Sequence, residues 1–308
     1  MDELKTSPVW GWKLETSYDD TGQRRHKRTS GEEVWRSEKC VGHGAAGAVW
    51  RERCVSGASR NALRAVKYLH RRQVKMSRQE LHALVIFSDP QATEYKQHFV
   101  QFLGWFNDDN FFYIAMEYLE HGDLQNYIGT PFPEPQAASI VAQVARALQY
   151  MHHRQFVHRD IKPKVGVPFE LALLSHRGPN WHVKVTDFGI SKNTEGSALD
   201  TRGVGSRGYM APELLQDDSE QYTSAVDVWS LGAMAFRLRT GQIPFSTEAR
   251  LLAYVNDHRV FPIEPLGNSS AYCMDFVQRT MQDLPARRST IDDVLTHLWL
   301  VGYNAPEG

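Results

Sequence analysis

His158-Arg159-Asp160-Ile161-Lys162-Pro163 is the stretch from which the rest of the chain is best read. Immediately before it, residues 137–153 place Ile140, Val144, Ala147, Leu148 and Met151 at helical spacing, which predicts a long amphipathic helix with one apolar face. Beyond it, residues 182–186 read as a strand that runs into Asp187-Phe188-Gly189. Further helices are predicted over 226–240, 270–281 and 291–298, so the C-terminal side is helix-rich. Before Gly122 the character differs. Residues 49–54 and 62–69 have the β-branched and aromatic content of strands, and 99–106 with 111–116 read as a hairpin turned by Asn107-Asp108-Asp109-Asn110. One helix falls over 72–88, carrying Met76, Leu81, Leu84 and Val85. A sheet-rich part followed by a helix-rich part predicts an α+β chain of two lobes with a cleft between them, hinged at Leu119-Glu120-His121-Gly122. The division expected is an N-terminal extension over 1–33, a sheet lobe over 34–118, a helical lobe over 119–303 and a tail over 304–308.

Composition narrows the function classes. The 308 residues carry a formal net charge of −1, which argues against a molecule-wide field that gathers nucleic acid or acidic membranes. No apolar run reaches the length of a membrane span, and the opening Met-Asp-Glu-Leu-Lys-Thr-Ser-Pro lacks the apolar core of a secretory signal. Cys40, Cys54 and Cys273 are odd in number and far apart, so neither a disulfide framework nor a zinc knuckle is expected. These features point to an intracellular protein of the cytoplasm or nucleus. The basic run Arg24-Arg25-His26-Lys27-Arg28 is the single hint of a nucleic-acid or import patch, and it is read as a solvated turn or strand edge. Trp10, Trp12 and Trp35 offer the N-terminal segment apolar surface with which to pack on a neighbouring sheet.

A glycine string lies near the start of the sheet-rich part: Gly42-His43-Gly44-Ala45-Ala46-Gly47-Ala48-Val49. A dinucleotide-binding turn would pass straight into a helix, whereas these glycines pass into a strand. A strand–turn–strand flap of this kind can lay backbone N–H groups over phosphates with no side chain in the way. Lys67, in Ala65-Val66-Lys67 on the next strand, is placed to reach the phosphates, and Glu80 on the following helix is placed to pair with it. Glu94 is the competing partner and reads as solvated.

The order of these strings, continued by Ala211-Pro212-Glu213, Asp227-Val228-Trp229-Ser230-Leu231-Gly232 and Arg288, resembles that of the eukaryotic protein kinases from about residue 36 to residue 300. The resemblance implies the bilobal kinase fold, with an antiparallel sheet and one helix in the N-lobe and a mostly helical C-lobe. It implies transfer of the γ-phosphate of ATP, with Mg2+, to a protein hydroxyl. Asp160 then orients the substrate hydroxyl, and Lys162 stabilises charge on the transferred group. Asp187 supplies a carboxylate to magnesium. Phosphates are held by the backbone of Gly42, His43, Gly44, Ala45, Ala46 and Gly47 and by Lys67, steadied by Glu80. Val49, Ala65, Met116, Glu117 and Leu119 complete the nucleotide pocket, Met116 at its back and 117–119 as hinge backbone. Glu213 is expected to pair with Arg288, and Asp227 to tie down the catalytic loop. Lys162, two residues after Asp160, and Gly205-Ser206 ahead of Ala211 resemble the serine/threonine kinases. Arg159 implies control through a phosphorylated loop, with Thr201, Thr194 or Ser197 as acceptors for an upstream kinase.

In one place the chain departs from the family pattern. After Lys162-Pro163 the pattern requires an asparagine that holds a second magnesium, and this chain reads Lys164-Val165. Valine has no oxygen to offer a hard cation. Residues 164–170 read as an insertion ahead of a strand at 171–174. Two readings follow: a serine/threonine kinase, slow or locally altered at that loop, and a pseudokinase that binds nucleotide as a scaffold without transferring phosphate.

Overall fold

Alternating inward and outward residues over the first part of the chain build a seven-stranded sheet in the computed structural model. The structure describes residues 7–28, 31–44, 47–70, 74–88, 93–162, 173–176, 178–186, 188, 192–193, 208–215, 223–256 and 261–303. They divide into two compact units, one formed by the described residues up to Glu120 with Thr186 and Phe188, the other by the remainder. The division between Glu120 and His121 falls inside the stretch read as a hinge.

In the first unit the strands are β1 (Glu15–Tyr18), β2 (Arg24–Arg28), β3 (Gly31–Gly44), β4 (Gly47–Ser56), β5 (Leu63–His70), β6 (Phe102–Asn107) and β7 (Phe111–Glu117). They pair antiparallel in the order β1-β2-β3-β4-β5-β7-β6. The two ends of that order meet. Leu14, just ahead of β1, donates its N–H to the Trp105 carbonyl of β6 at 2.8 Å, and Lys13 bridges the same residue. The sheet therefore curls until its edges join, which removes the exposed edge that an open sheet carries. A 3-10 turn over Pro8–Trp12 completes the seam. Trp105 Nε1 donates to the Val9 carbonyl at 2.8 Å, Trp10 meets the Trp105 ring edge-on at 5.8 Å, and Trp12 lies 5.2 Å from Phe102. Gly104 makes this approach possible, because a Cβ there would come within 2.8 Å of the Trp12 carbonyl and 2.9 Å of the Leu14 side chain.

This architecture corrects the reading of the basic run. Residues 24–28 form an interior strand, and Arg24 and His26 point into the curl, 9% and 0% exposed. Among the described side chains of the run, the alternate residues Arg25 and Lys27 face outward. Burial is tolerated because acceptors wait inside: Glu52 for Arg24, and Thr16 for His26. The boundary expected between residues 33 and 34 falls within β3, near its start, and the two strands before it belong to the same sheet.

Helix α1 (Val74–Phe87) and a single turn, α2 (Thr93–Lys96), accompany the sheet, and Glu94 on α2 is exposed as expected. Phe87 at the end of α1 stacks on Phe99 at 4.9 Å, and Phe188 packs on both at 4.9 and 6.1 Å.

The second unit is helical. Its long helix α3 (Glu134–His153) buries Ile140, Val144, Ala147, Leu148 and Met151, the face anticipated from spacing. Against α3 lie α4 (Ala225–Thr240) and α7 (Ile291–Thr296), and α6 (Ala271–Thr280) packs on α4. Helix α5 (Glu248–Asn256), which the sequence reading did not anticipate, brings Tyr254 onto Trp229 and Phe245. Short strand pairs join β8 (Phe156–Val157) to β11 (Lys192–Asn193) and β9 (Leu173–His176) to β10 (His182–Lys184). Cys40, Cys54 and Cys273 are free thiols. Among the described residues, no helix is long and apolar enough to cross a membrane.

Candidate active site

The strand register assembles one set of candidate residues in the first unit. Gly42 pairs with Val49, His43 with Ala48 and Gly44 with Gly47, so the glycine string is the turn of the β3–β4 hairpin. Val49 then pairs with Lys67, Lys67 with Ile114, and Ala65 with Met116. Cross-strand partners share a face and residues two apart share it again, so Val49, Ala65, Lys67 and Met116 stand on one side of the sheet. All four are buried, Lys67 at 4% exposure, an unusual place for an ammonium group. Gly47 has φ +129°, and a Cβ on it would run into the carbonyl oxygen of Tyr68. Only glycine allows the hairpin to sit this low on β5. His43 at the tip is exposed, its ring 3.5 Å from Cys40 Sγ. The Glu117 N–H is taken by the Gln101 carbonyl at 2.9 Å, and Leu119 is half-buried.

A second set lies in the helical unit, in the segment after α3. Lys162 Nζ is 2.7 Å from Asp160 Oδ2, and Lys162 is 2% exposed. The backbone that carries them is fixed from below by Asp227, on the first turn of α4. Fully buried, its carboxylate accepts the N–H of His158 at 2.8 Å, the N–H of Arg159 at 2.7 Å and His152 Nε2 at 2.8 Å. Burial works to raise the Asp227 carboxyl, but the hydrogen bond and charge of His152, with His158, outweigh it and hold it below the ordinary carboxylate range. Arg159 adopts φ +71°, a left-handed conformation costly for any residue other than glycine, and its N–H is held there by Asp227. His152 was missed in the sequence, where it looked like one more polar residue at the end of a helix. Only the fold brings it to Asp227.

Lower in the same unit, Arg288 is bidentate to Glu213 at 2.7 and 3.2 Å and also donates to the carbonyls of Ala225 and Gln282. Its guanidinium lies 5.1 Å from the Trp229 ring. The pairing expected between these two residues is present. Ala45, Ala46, Val165, Asp187, Thr194, Ser197 and Thr201 lie outside the described residues, as does the side chain of Glu80 on α1.

A family model described as the protein kinase domain matches residues 35–300. The chain belongs to the protein kinase family. Among curated relatives of this kinase domain, the calcium/calmodulin-dependent protein kinase cmkA of Emericella nidulans is 32% identical over 285 residues, covering 89% of this chain and 64% of that protein. The Aurora kinase of Saccharomyces cerevisiae is 29% identical over 271 residues, 85% of this chain and 68% of that one. The mouse serine/threonine-protein kinase ULK3 is 33% identical over 217 residues, 68% of this chain and 44% of that one. The chain thus spans less than two thirds of the first and third of these relatives. The kinase N-lobe is an antiparallel sheet, and the C-lobe is mostly helical. The matched span starts at Trp35, inside β3, so β1 and β2 stand ahead of it while belonging to the same sheet.

Proposed function

We propose that the chain is a serine/threonine protein kinase that transfers the γ-phosphate of ATP to hydroxyls of protein substrates. The observation that supports this best is the Asp160–Lys162 pair held on a loop whose backbone is bonded to a buried carboxylate. Phosphoryl transfer needs positioned charge more than covalent chemistry, and a fixed carboxylate beside a fixed ammonium supplies that. Asp160 accepts the proton-bearing side of the incoming hydroxyl and aligns its oxygen, while Lys162 balances charge on the phosphoryl oxygens. In the N-lobe, the bare turn at Gly47 and the buried Lys67 suit a polyphosphate: the first leaves backbone N–H groups uncovered, and the second supplies a cation on the face shared with Val49, Ala65 and Met116. Glu80 pairs with Lys67 in this reading.

Magnesium, when bound, neutralises charge on the phosphates. Asp187 is the carboxylate that would hold it, and Val165 offers no oxygen where the family pattern has asparagine. That valine favours a second reading, in which the domain binds nucleotide without transferring phosphate. Phosphorylation at Thr201, Thr194 or Ser197 by an upstream kinase would place a phosphate near Arg159.

Incubation with labelled MgATP and a generic basic protein tests the assignment. The chain is expected to yield labelled serine and threonine, and Asp160→Asn to lower the rate by about 10²–10⁴-fold. Equal label from both would sink the catalytic reading. A thermal shift with MgATP that Lys67→Ala abolishes, without label transfer, would leave the scaffold reading in its place.

A further inference from the structure

The strands that precede the kinase span bring charge to the inside of the sheet. Arg24 of β2 donates through Nη1 to Glu52 of β4 and to Ser37 of β3 (3.0 Å), and through Nη2 to the Tyr68 hydroxyl of β5 at 2.6 Å. The Tyr68 hydroxyl also lies 3.0 Å from Ser37 Oγ and 3.3 Å from Glu52 Oε1. The guanidinium sits between two rings, 4.9 Å from Tyr68 and 4.8 Å from Tyr113. Glu52 is shared: its other oxygen takes Arg64 Nε and Nη2 at 3.0 and 2.7 Å, and Arg64 Nη2 lies 2.7 Å from His26 Nε2. An arginine fork is thus anchored on three consecutive strands of the sheet from a fourth.

Tyr68 is where this network meets the nucleotide-facing side. It follows Lys67 directly, so its side chain points into the curl while that of Lys67 points the other way. Its backbone pairs with Ala48, and its carbonyl is the atom against which Gly47 packs. One residue therefore joins the N-terminal strand, through its hydroxyl, to the turn of the glycine flap, through its carbonyl, and to Lys67, through the peptide bond. A shift of β5 at Tyr68 moves the ammonium of Lys67 and the floor under the flap together.

We propose that Arg24, acting through Tyr68, is a positioning residue for nucleotide binding, and that the segment 7–28 is a built-in strap that sets the spacing of the glycine flap and Lys67. This rests on the phosphotransferase reading of the same site. A loosening of Lys67 and the flap that leaves Asp160 and Lys162 in place weakens the hold on the nucleotide in the ground and transition states alike, which raises KM and leaves kcat.

The test compares the full chain with Tyr68→Phe, Arg24→Lys and Arg24→Ala. Tyr68→Phe keeps the ring against Tyr113 and removes only the hydroxyl. Arg24→Lys keeps the charge but lacks the planar fork that reaches three partners. All variants that retain the parent's circular dichroism enter the comparison. Tyr68→Phe and Arg24→Lys are both expected to raise the KM for ATP about three- to tenfold, with kcat and the KM for the protein substrate within about twofold. Amide exchange of residues 47–49 and 67–68 in the nucleotide-free chain is expected to accelerate in the same variants. Full rescue by lysine would mean that charge alone matters and would overturn the proposal. So would unchanged amide exchange in folded Tyr68→Phe. If the parent itself binds no nucleotide, the phosphotransferase reading falls, and the exchange data still decide whether the strap governs the flap.

Discussion

Replacing Asp227 by asparagine removes one charge and keeps the shape, and the structure sets the size of the effect. The carboxylate accepts three hydrogen bonds within a fully buried site, from His158 N, Arg159 N and His152 Nε2. Asparagine offers a single carbonyl oxygen, so its amide group must face at least one N–H donor. A buried donor left unsatisfied costs about 1–3 kcal/mol, and a hydrogen bond to a charged acceptor is worth about 1.5–3 kcal/mol. Relief of the buried charge offsets part of this, leaving about 2–4 kcal/mol of lost stability. At roughly 2–4 °C per kcal/mol for a unit of this size, the melting point falls on the order of 10 °C. Acid should close the gap. The folded-state pKa of Asp227 is depressed, so its contribution is fully present above the unfolded value of about 3.9 and is lost as pH falls through the folded value. Urea titrations at neutral pH and at successively lower pH measure the difference. Equal stability at neutral pH, or a gap that stays constant into acid, would refute the reasoning. Activity gives an independent reading: Arg159 is released from its left-handed conformation, and kcat is expected to fall about 10²-fold through displacement of Asp160.

Arg288→Lys is expected to cost about 2–4 kcal/mol, because a point charge replaces a fork that binds Glu213 twice and two carbonyls besides. A double-mutant cycle with Glu213→Gln checks this through its coupling energy, and additive effects would exclude the pairing as the cause. Val165→Asn adds the oxygen that the family pattern has at that position, and it is expected to lower the magnesium concentration giving half-maximal phosphotransfer. An unchanged magnesium dependence would show that residue 165 does not stand at the metal.

What was legible in the sequence is what recurs at short range. The apolar face of α3 follows from spacing alone, and β4 and β5, the latter carrying Lys67, follow from their β-branched and aromatic content. The motifs fixed the order of site residues because each is a contiguous string whose neighbours share its task. Long-range pairings were readable only through family resemblance: Glu213 with Arg288 and Asp227 with the loop at 158–159 are separated by tens of residues, and nothing local announces them. His152 had no such signal. Its ring reaches Asp227 only because α3 and α4 pack side by side.

The run at 24–28 hid its burial for a more specific reason. An amphipathic strand betrays itself by apolar residues alternating with polar ones, and here both faces are basic. Arg24 and His26 look no more buried than Arg25 and Lys27 until Glu52, Tyr68 and Thr16 are brought opposite them. The charge that suggested solvent is the charge that the interior needs, since Glu52 lies fully buried between Arg24 and Arg64. A domain drawn from Trp35 onward would begin within β3, open the seam at Trp105, and leave Glu52 with one arginine in place of two. Arg64 would still hold one oxygen of Glu52, but the other would lose its Arg24 donor inside a buried site, so the sheet cannot discard β2 at no cost. The strands ahead of Trp35 are therefore part of the N-lobe core, and the lobe starts before the span that the family model matches.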